Sequence, residues 1–265
     1  MSKLGFIGMG NMGYAMLKGT LKSFVPSEIV FSDADTKRME TVSEETGVEY
    51  VTSNAECVHR TKYVVLAVKP QFFDVVLEDI IDVVTPSHVI ISIAPGITIA
   101  DIKKKLGSDI RVVRAMPNTP ALVGEGMTGV CYDKNDFSME EEDNIKKIFE
   151  AIGKMKVVSE KIMSAVTCAS GSSPAYVYMF IEALADGCVM CGMSRNDAYE
   201  FVAQTVLGSA KMVLETKRHP GVLKDMVCSP AGTTIQAVKE LEAAGFRSAL
   251  IKATEACYKK SEHID

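Results

Sequence analysis

Short apolar runs alternate with helical patterns through the first half of the chain. Continuous Val, Ile and Leu runs are typical of strands buried on both faces of a parallel sheet. Their spacing of roughly 30 residues predicts βαβ units and a doubly wound parallel sheet. The predicted strands are Leu4–Ile7, Ile29–Phe31, Tyr63–Val68, Val89–Ile93 and Val112–Val113, with a further short strand at Met155–Val158.

The second half of the chain is helical in pattern from Ile162 onward. The helix predicted over Pro174–Cys191 is apolar nearly all round and needs cover on every side. About a hundred residues of helix cannot supply that cover alone, so we expect a dimer that buries this helix between subunits. Further helices are predicted from Ser194, between Gly232 and Gly245, and over Arg247–Glu262.

Composition excludes several classes of protein. The chain has 265 residues and a net charge of −5, with 29 basic against 34 acidic side chains. The absence of a dense basic cluster argues against a nucleic-acid partner. The apolar stretch Ala175–Met193 is interrupted by Glu182 and Asp186, which argues against a membrane partner. We expect a cytoplasmic protein.

Seven scattered cysteines indicate reduced thiols. Cys188 and Cys191 form a CxxC pair, but no second pair with zinc-ligand spacing follows. We therefore expect both sulfurs to pack in an apolar helix and expect no metal site.

The strongest local motif is the glycine pattern GMGNMG, which follows a predicted strand and opens a helix. In that context Gly8 permits a tight turn, Gly10 lets the backbone approach a pyrophosphate, and Gly13 lets helix and strand touch. The pattern predicts a dinucleotide site. The fold class predicted is α/β, with an N-terminal Rossmann-type domain over residues 1–159. An all-α substrate-binding and dimerisation domain is predicted over 160–265.

Residues near the second strand bear on the type of cofactor. Asp33 lies at the end of that strand, where a carboxylate accepts from the ribose 2′-OH of NAD and repels the extra phosphate of NADP. Ser32, Lys37 and Arg38 lie close by in sequence and are suited to a 2′-phosphate. These residues alone leave both cofactors open.

Three Pro-containing segments end later strands at the edge where doubly wound sheets bind their ligands. They are Ala67–Pro70, Ala94–Gly96 and Met116–Pro120. Lys69 is aimed at the crevice or at solvent, and its position favours a role in lining the cleft. In the helical half, Ser170–Pro174 and Ser229–Thr234 each place hydroxyls and backbone amides before a helix. That design suits a carboxylate as well as ordinary capping.

Longer stretches of the chain carry a more specific signal. They are GFIGMGNMG (5–13), AVKP (67–70), RAMPNTPALV (114–123), SGSSPAYVYMFIEALADG (170–187), GSAKMVLET (208–216), HPGVLKDMVCSPAGTTI (219–235) and GFRSALI (245–251). In this order they resemble the Δ1-pyrroline-5-carboxylate reductase family over essentially the whole length. Asp225–Leu241 resembles the family's signature segment.

The resemblance implies reduction of the cyclic imine pyrroline-5-carboxylate to L-proline, the last step of proline biosynthesis. The implied cofactor is NADP(H), with NAD(H) as the alternative. It implies a homodimer, often assembled into a decamer. Asp33 departs from the uncharged residue frequent in NADP-preferring relatives, which makes NADH use more credible. Pro95 stands where many relatives carry a small residue.

The candidate site residues follow from the motifs together with the resemblance. The cofactor set is Gly8, Met9, Gly10, Asn11, Met12, Ser32, Asp33, Asn54, Ala67, Val68, Lys69, Pro70, Ala94, Pro95 and Asn118. The substrate set is Glu160, Ser172, Ser173, Thr233 and Thr234. Thr234 and Lys69 are the catalytic candidates, with Thr234 as a hydrogen-bond donor to the imine nitrogen.

Two other functions stay open at this point. A β-hydroxyacid dehydrogenase shares a similar glycine motif and a helical second half, but those enzymes use a helix lysine. No lysine occurs here between Lys161 and Lys211. A non-enzymatic nucleotide sensor would bind the cofactor and leave the Ser172 and Thr234 loops without a ligand.

Overall fold

The computed structural model describes residues 3–262. One eight-stranded sheet has the order β3-β2-β1-β4-β5-β6-β7-β8. Its strands are β1 Leu4–Ile7, β2 Ile29–Ser32, β3 Glu49–Tyr50, β4 Tyr63–Leu66, β5 Val89–Ser92, β6 Arg111–Met116, β7 Gly126–Cys131 and β8 Gly153–Val157.

The helices of the sheet half lie between its strands, and those of the second half follow one another along the chain. They are α1 Asn11–Thr20, α2 Thr36–Thr46, α3 Asn54–His59, α4 Phe73–Ile80, α5 Ile99–Leu106, α6 Met139–Glu150, α7 Met163–Val166, α8 Ser173–Met190, α9 Arg195–Thr216, α10 Pro220–Val227, α11 Thr233–Ala243 and α12 Phe246–Ser261. None of the described helices is both long and apolar enough to cross a bilayer.

The sheet is largely parallel, as predicted, and departs from the prediction only at the pairing of β6 with β7. Strands β1 to β6 pair in parallel, but β7 runs antiparallel to β6 with Ala115 opposite Val130. The sequence of β7 (GMTGVC) lacks the apolar run that marks the other strands, and its backbone turns back after a short helical turn at Thr119–Val123. The predicted strand Tyr63–Val68 ends earlier, at Leu66, because the chain leaves the sheet there.

Both faces of the sheet are buried, as the apolar runs predict. One core contains Phe6, Phe31 and Phe149 with the inner face of α1. The other contains Val64, Ile90 and residues of α3 to α5. Strands β1, β2, β4 and β5 are buried at every position, so their carboxyl ends are held rigidly.

The chain forms two compact units. One contains the sheet, continues through Ser172 and includes the chain from Tyr258, and the other is Ser173–Cys257. The segment after β8 stays with the sheet because polar and steric contacts hold it there: Asn118 donates to the carbonyl of Ser170 at 3.0 Å. The predicted domain boundary after residue 159 stays a prediction.

The second unit has little core of its own. Among its described residues, the buried hydrophobic cluster consists of Ala185, Ala198 and Val202. Helix α8 has 18 residues, yet only Pro174 and Ala185 are buried. Its exposed apolar side chains include Val177, Tyr178, Met179, Phe180, Leu184 and Met190. This surface is the apolar face for which the sequence predicts a dimer partner.

A buried acid links α6 to the sheet and predicts acid sensitivity. Burial alone would raise the pKa of Glu141, but hydrogen bonds from Lys62, the Ser138 amide and Arg111 outweigh it and lower the pKa to about 2. Because the unfolded pKa is higher, Glu141 stabilises the fold above about pH 4.5, and this stabilisation is lost as pH falls towards 2. We expect Glu141→Gln to lower the free energy of unfolding by about 2–3 kcal/mol at pH 7, measured by urea denaturation.

The difference between wild type and Glu141→Gln should shrink between about pH 5 and pH 2. Glu140→Gln, in the same first turn but exposed, is the control and should change stability little at either pH. A Glu141→Gln penalty that is the same at pH 7 and pH 3 would contradict the assignment.

Candidate functional site

The glycine motif forms a tight loop at the centre of the sheet, where the strand order reverses. Strand β1 lies between β2 and β4, and ligands of doubly wound sheets bind at such a reversal. Gly8 has φ +99°, and a Cβ there would lie 2.8 Å from the carbonyl oxygen of Ala67. A Cβ at Gly13 would lie 2.1 Å from the carbonyl oxygen of Gly8. Loop, helix α1 and the end of β4 therefore touch through backbone.

Gly10 differs from these two glycines. Its φ is −66°, and no described atom lies within 4 Å of the position a Cβ would take. Gly10 is the N-cap of α1; within the described chain no side chain caps this helix, and no acidic residue occupies its first turn. Open space beside an uncapped helix N-terminus fits a phosphate group.

Asp33 closes onto the glycine loop from the end of β2. The backbone amide of Met9 donates to its Oδ2 at 2.5 Å, and the amide of Asp35 donates to its Oδ1 at 2.9 Å. Arg38 approaches the same loop from α2: its Nε donates to the carbonyl oxygen of Met9 at 2.9 Å. Its guanidinium carbon lies 4.7 Å from the centre of the Tyr14 ring. A carboxylate and a guanidinium thus flank one side of the loop.

A cleft of about 370 Å³ extends from the end of β2. Ser32 donates to Oδ1 of Asn54 at 2.8 Å, and Asn54 donates to Asp79 at 2.9 Å. The walls combine small side chains with hydroxyl, amide and carboxylate groups. The lining residues are Ser32, Asp33, Ala34, Thr52, Ser53, Asn54, Ala55 and Asp79. These groups can form hydrogen bonds with the ribose hydroxyls of a nucleoside. This half of the site therefore fits one end of a dinucleotide.

The other strand exits lie along the same edge of the sheet. Ala67 and Val68 are half-buried after β4, while Lys69 and Pro70 are exposed. Ala94 is buried after β5, and Pro95 is exposed. Asn118, after β6, is buried with its amide engaged: Nδ2 donates to Ser170 and Oδ1 accepts from the amide of Met127 at 2.9 Å. Its side chain therefore fastens the exit of β6 to neighbouring segments.

Glu160 is held by two donors from different parts of the sheet unit. Arg114 on β6 donates through Nη1 to its Oε1 at 3.0 Å, and the amide of Ile99 at the start of α5 donates to the same oxygen at 2.9 Å. Ser172 follows the π-helical turn Thr167–Gly171, and its amide donates to Thr167 at 2.8 Å. Glu160 and Ser172 thus belong to the unit that contains the sheet.

Three further candidates lie in the helical unit. Ser173 begins α8, and Thr233 and Thr234 begin α11. Gly232 is the N-cap of α11, which within the described chain has no side-chain cap. The preceding Ala231 has φ +58°, a conformation that an alanine rarely adopts. This N-terminus offers amides and hydroxyls suited to a carboxylate.

The remaining candidate chemistry is less informative. In the part of the chain that the structure describes, no group of three or more His, Cys, Asp or Glu side chains is arranged to hold a metal. Cys188 is half-buried and Cys191 exposed, and both are free thiols. Burial raises the pKa of the Cys57 thiol to about 12.

Comparison with known proteins decides the family. The model for pyrroline-5-carboxylate reductase dimerisation matches residues 160–264, and the model described as NADP oxidoreductase coenzyme F420-dependent matches residues 3–96. The pyrroline-5-carboxylate reductase of Escherichia coli is 44% identical over 99% of this chain and 98% of its own. The chain belongs to the pyrroline-5-carboxylate reductase family.

Other members of the reductase family are also similar to this chain over nearly its whole length. The Methanosarcina acetivorans reductase is 42% identical over 99% of this chain and 97% of its own. The crystal structure of Plasmodium falciparum pyrroline carboxylate reductase with NADP bound is 34% identical, covers 99% of this chain and 98% of its own, and superposes with a TM-score of 0.89. The predicted fold and family are confirmed, and the chain is an oxidoreductase of proline biosynthesis. The dehydrogenase and sensor alternatives are set aside.

The structure also contains site features that the sequence analysis missed. Arg38 contacts the glycine loop, whereas the sequence predicts for it only a role towards a 2′-phosphate. Asp79 lines the cleft through Asn54, and nothing in its helical sequence marks it. Arg114 contacts Glu160, and a charged residue between the buried apolar residues Val113 and Ala115 is a signal that could have found it.

Proposed function

We propose that this chain binds NAD(P)H across the carboxyl edge of its sheet and reduces 1-pyrroline-5-carboxylate to L-proline, the final step of proline biosynthesis. The observation that carries the proposal is the open space at Gly10, beside the uncapped N-terminus of α1 and next to Asp33. That arrangement fits a pyrophosphate and an adjoining ribose. When bound, the cofactor supplies a hydride to the imine carbon.

The cofactor would be held from one end of the edge to the other. The Gly8–Met12 loop would take the pyrophosphate, and the cleft at Ser32, Asp33 and Asn54 would take the adenosine. The exits Ala67–Pro70, Ala94–Pro95 and Asn118 would line the rest. Lys69 is exposed at the end of β4 and would supply positive charge beside the cofactor.

NADP(H) is the proposed cofactor, with NAD(H) as the alternative. Arg38 beside the loop favours binding of a 2′-phosphate. The Asp33 carboxylate, held by two backbone amides, favours the free 2′-hydroxyl of NADH. Arg38 and Asp33 favour different cofactors. The ratio of kcat/KM with NADPH to kcat/KM with NADH therefore reports which of the two residues has the larger effect.

The substrate would be bound by its carboxylate and its ring nitrogen. Amides and hydroxyls at Ser172, Ser173 or Thr233 would hold the carboxylate. Thr234 would donate a hydrogen bond to the imine nitrogen. The imine is most reactive when its nitrogen is protonated, and a Glu160 carboxylate lining the ring would favour that cationic form. A threonine hydroxyl is too weak an acid to supply the proton itself.

Thr234→Ala tests the proposed donor. Loss of one positioned hydrogen bond should reduce kcat/KM for pyrroline-5-carboxylate by about 5- to 150-fold, equivalent to about 1–3 kcal/mol. The measurement is the loss of NADPH absorbance with purified protein, repeated with NADH.

Thr234→Ser retains the hydroxyl and should recover most of the activity. Thr254→Ala is the matched control, because the Thr254 hydroxyl donates to Leu250 within its own helix at 2.9 Å. Unchanged kcat/KM in Thr234→Ala would remove this residue from the reaction. No oxidation of either cofactor by a wild-type protein that binds it would contradict the proposed substrate.

We propose a cytoplasmic homodimer, assembled further into a decamer. The exposed apolar side chains of α8 and the match to a dimerisation model support self-association. The free cysteines are consistent with a reducing compartment. Solution mass by light scattering at micromolar concentration distinguishes monomer, dimer and decamer.

A further inference from the structure

Arg114 is a buried cation on strand β6, an interior strand of the sheet. Strand β6 reads RVVRAM, and its residues from Val112 to Ala115 are all buried. Only 9% of the Arg114 side chain is exposed. Its neighbours in register, Ser92 on β5 and Cys131 on β7, carry no formal charge as a hydroxyl and a thiol. A guanidinium in such a place is costly unless a carboxylate pairs with it.

Glu160 is that carboxylate, and its geometry is asymmetric. Arg114 Nη1 and the Ile99 amide both donate to Oε1, at 3.0 and 2.9 Å. Two donors from different elements fix the direction of the carboxyl group. Oε2 receives neither bond, and 35% of the Glu160 side chain is exposed. One oxygen is therefore anchored in the sheet unit, while the side chain still reaches its surface.

The Ile99 amide that bonds to Glu160 lies next to a segment predicted to bind the cofactor. Ile99 begins α5 directly after the turn that contains Ala94 and Pro95. Its amide, at a helix N-terminus, is a favourable donor to an anion. Arg114 thus holds Glu160 at a fixed place relative to that turn.

We propose that Arg114 is a positioning residue for the reductase reaction, acting through Glu160. It orients the carboxylate so that Oε2 faces the cationic imine ring while Oε1 remains bonded to the sheet. This inference rests on the proposed function of Glu160 in the substrate site. A misplacement of about 1 Å at such a group can cost roughly 100-fold in rate, even when the substituted residue lies away from the reacting atoms.

Four variants test the proposal: Arg114→Met, Arg114→Lys, Glu160→Gln and the double variant Arg114→Met/Glu160→Gln. We expect Arg114→Met to lower kcat/KM for pyrroline-5-carboxylate by about 10- to 100-fold, with a raised KM and a lowered kcat. The Kd for NADPH, from fluorescence titration, should stay within about 2-fold of wild type. Lysine keeps the charge but not the planar fork, so Arg114→Lys should recover part of the loss.

The double variant separates positioning from a merely structural role. If Arg114 acts through Glu160, the double variant should be no slower than the slower single variant, because both changes remove the same function. Arg111→Met is the matched control: Arg111 lies on the same strand and donates to Glu141 at 2.6 Å. It should lower Tm while kcat and KM for the imine stay at wild-type values.

Each outcome has a distinct meaning. Wild-type kcat and KM in Arg114→Met, or losses that multiply in the double variant, would overturn the positioning role. Should Arg114→Met fail to bind NADPH, the Arg114→Lys variant carries the test, and wild-type kinetics in it alongside a lowered Tm would overturn the proposal. Unchanged kcat/KM in Glu160→Gln would instead refute the proposed function of Glu160.

Discussion

Gly13→Ala should strongly weaken cofactor binding and destabilise the sheet unit. A Cβ at this position would lie 2.1 Å from the carbonyl oxygen of Gly8 and 3.1 Å from the Cβ of Ala67. The first of these atoms is backbone, so no side chain can rotate to make room, and α1 must move away from the loop. We expect Kd for NADPH to rise by more than about 100-fold and the free energy of unfolding to fall by about 1–3 kcal/mol. Fluorescence titration and urea denaturation measure the two effects.

Gly10→Ala is the matched comparison, since the chemical change is identical. Its φ of −66° suits alanine, and no described atom would contact the added methyl group. Stability should be unchanged or raised by up to about 1 kcal/mol, while the methyl group occupies the space assigned to the pyrophosphate and weakens NADPH binding. Wild-type affinity in Gly10→Ala would show that the phosphates do not approach there. Wild-type stability in Gly13→Ala would contradict the backbone contact.

Asp33→Asn should shift cofactor preference strongly towards NADPH. The carboxylate is fixed by the amides of Met9 and Asp35, so it cannot swing away from a 2′-phosphate. Repulsion between two unit charges at about 5 Å amounts to about 2–3 kcal/mol at an effective dielectric constant of about 20–35, as for charge pairs near a protein surface. The ratio of kcat/KM with NADPH to kcat/KM with NADH should therefore rise by about 30- to 150-fold. Steady-state kinetics with each cofactor give that ratio.

The control for Asp33 lies two residues away. Asp35 is also an acid near the loop, but its carboxylate caps α2 by accepting from the amides of Lys37 and Arg38. Asp35→Asn retains a capping oxygen, so it should change stability little and leave the cofactor ratio within about 2-fold of wild type. An unchanged ratio in Asp33→Asn would assign Asp33 to holding the loop alone.

The sequence predicted most of the fold because the buried strands are continuous apolar runs. Leu4–Ile7 is found as predicted, and the glycine motif lies between strand and helix as its spacing requires. Strand β7 was not predicted because two of its six residues are glycines, which interrupt the apolar run. In the structure, Gly129 lies against Val166. Pairing with β6 and β8 forms this strand, and such long-range contacts leave no periodic signal in a local window.

The site was predicted in part. Residues marked by a local motif, such as Gly10 and Asp33, lie where the pattern places them. Contacts between distant segments were not predicted, as the pairing of Arg114 with Glu160 across 46 positions shows. Asn118 illustrates the same limit: its strand exit was expected, but its bonds to Ser170 and Met127 depend on how the chain returns to the sheet.

The sparse core of the helical unit has a consequence for how this chain folds. Among the described residues of this unit, the buried cluster consists of Ala185, Ala198 and Val202, so much of the stabilising apolar burial must come from another copy of the chain. Folding of this half then obeys mass action: dilution opposes it, and a higher concentration favours it. A substitution on the outer face of α8 would accordingly act on two chains at once. An intact partner could keep a destabilised subunit folded. Alternatively, the destabilised subunit could cause its partner to unfold as well.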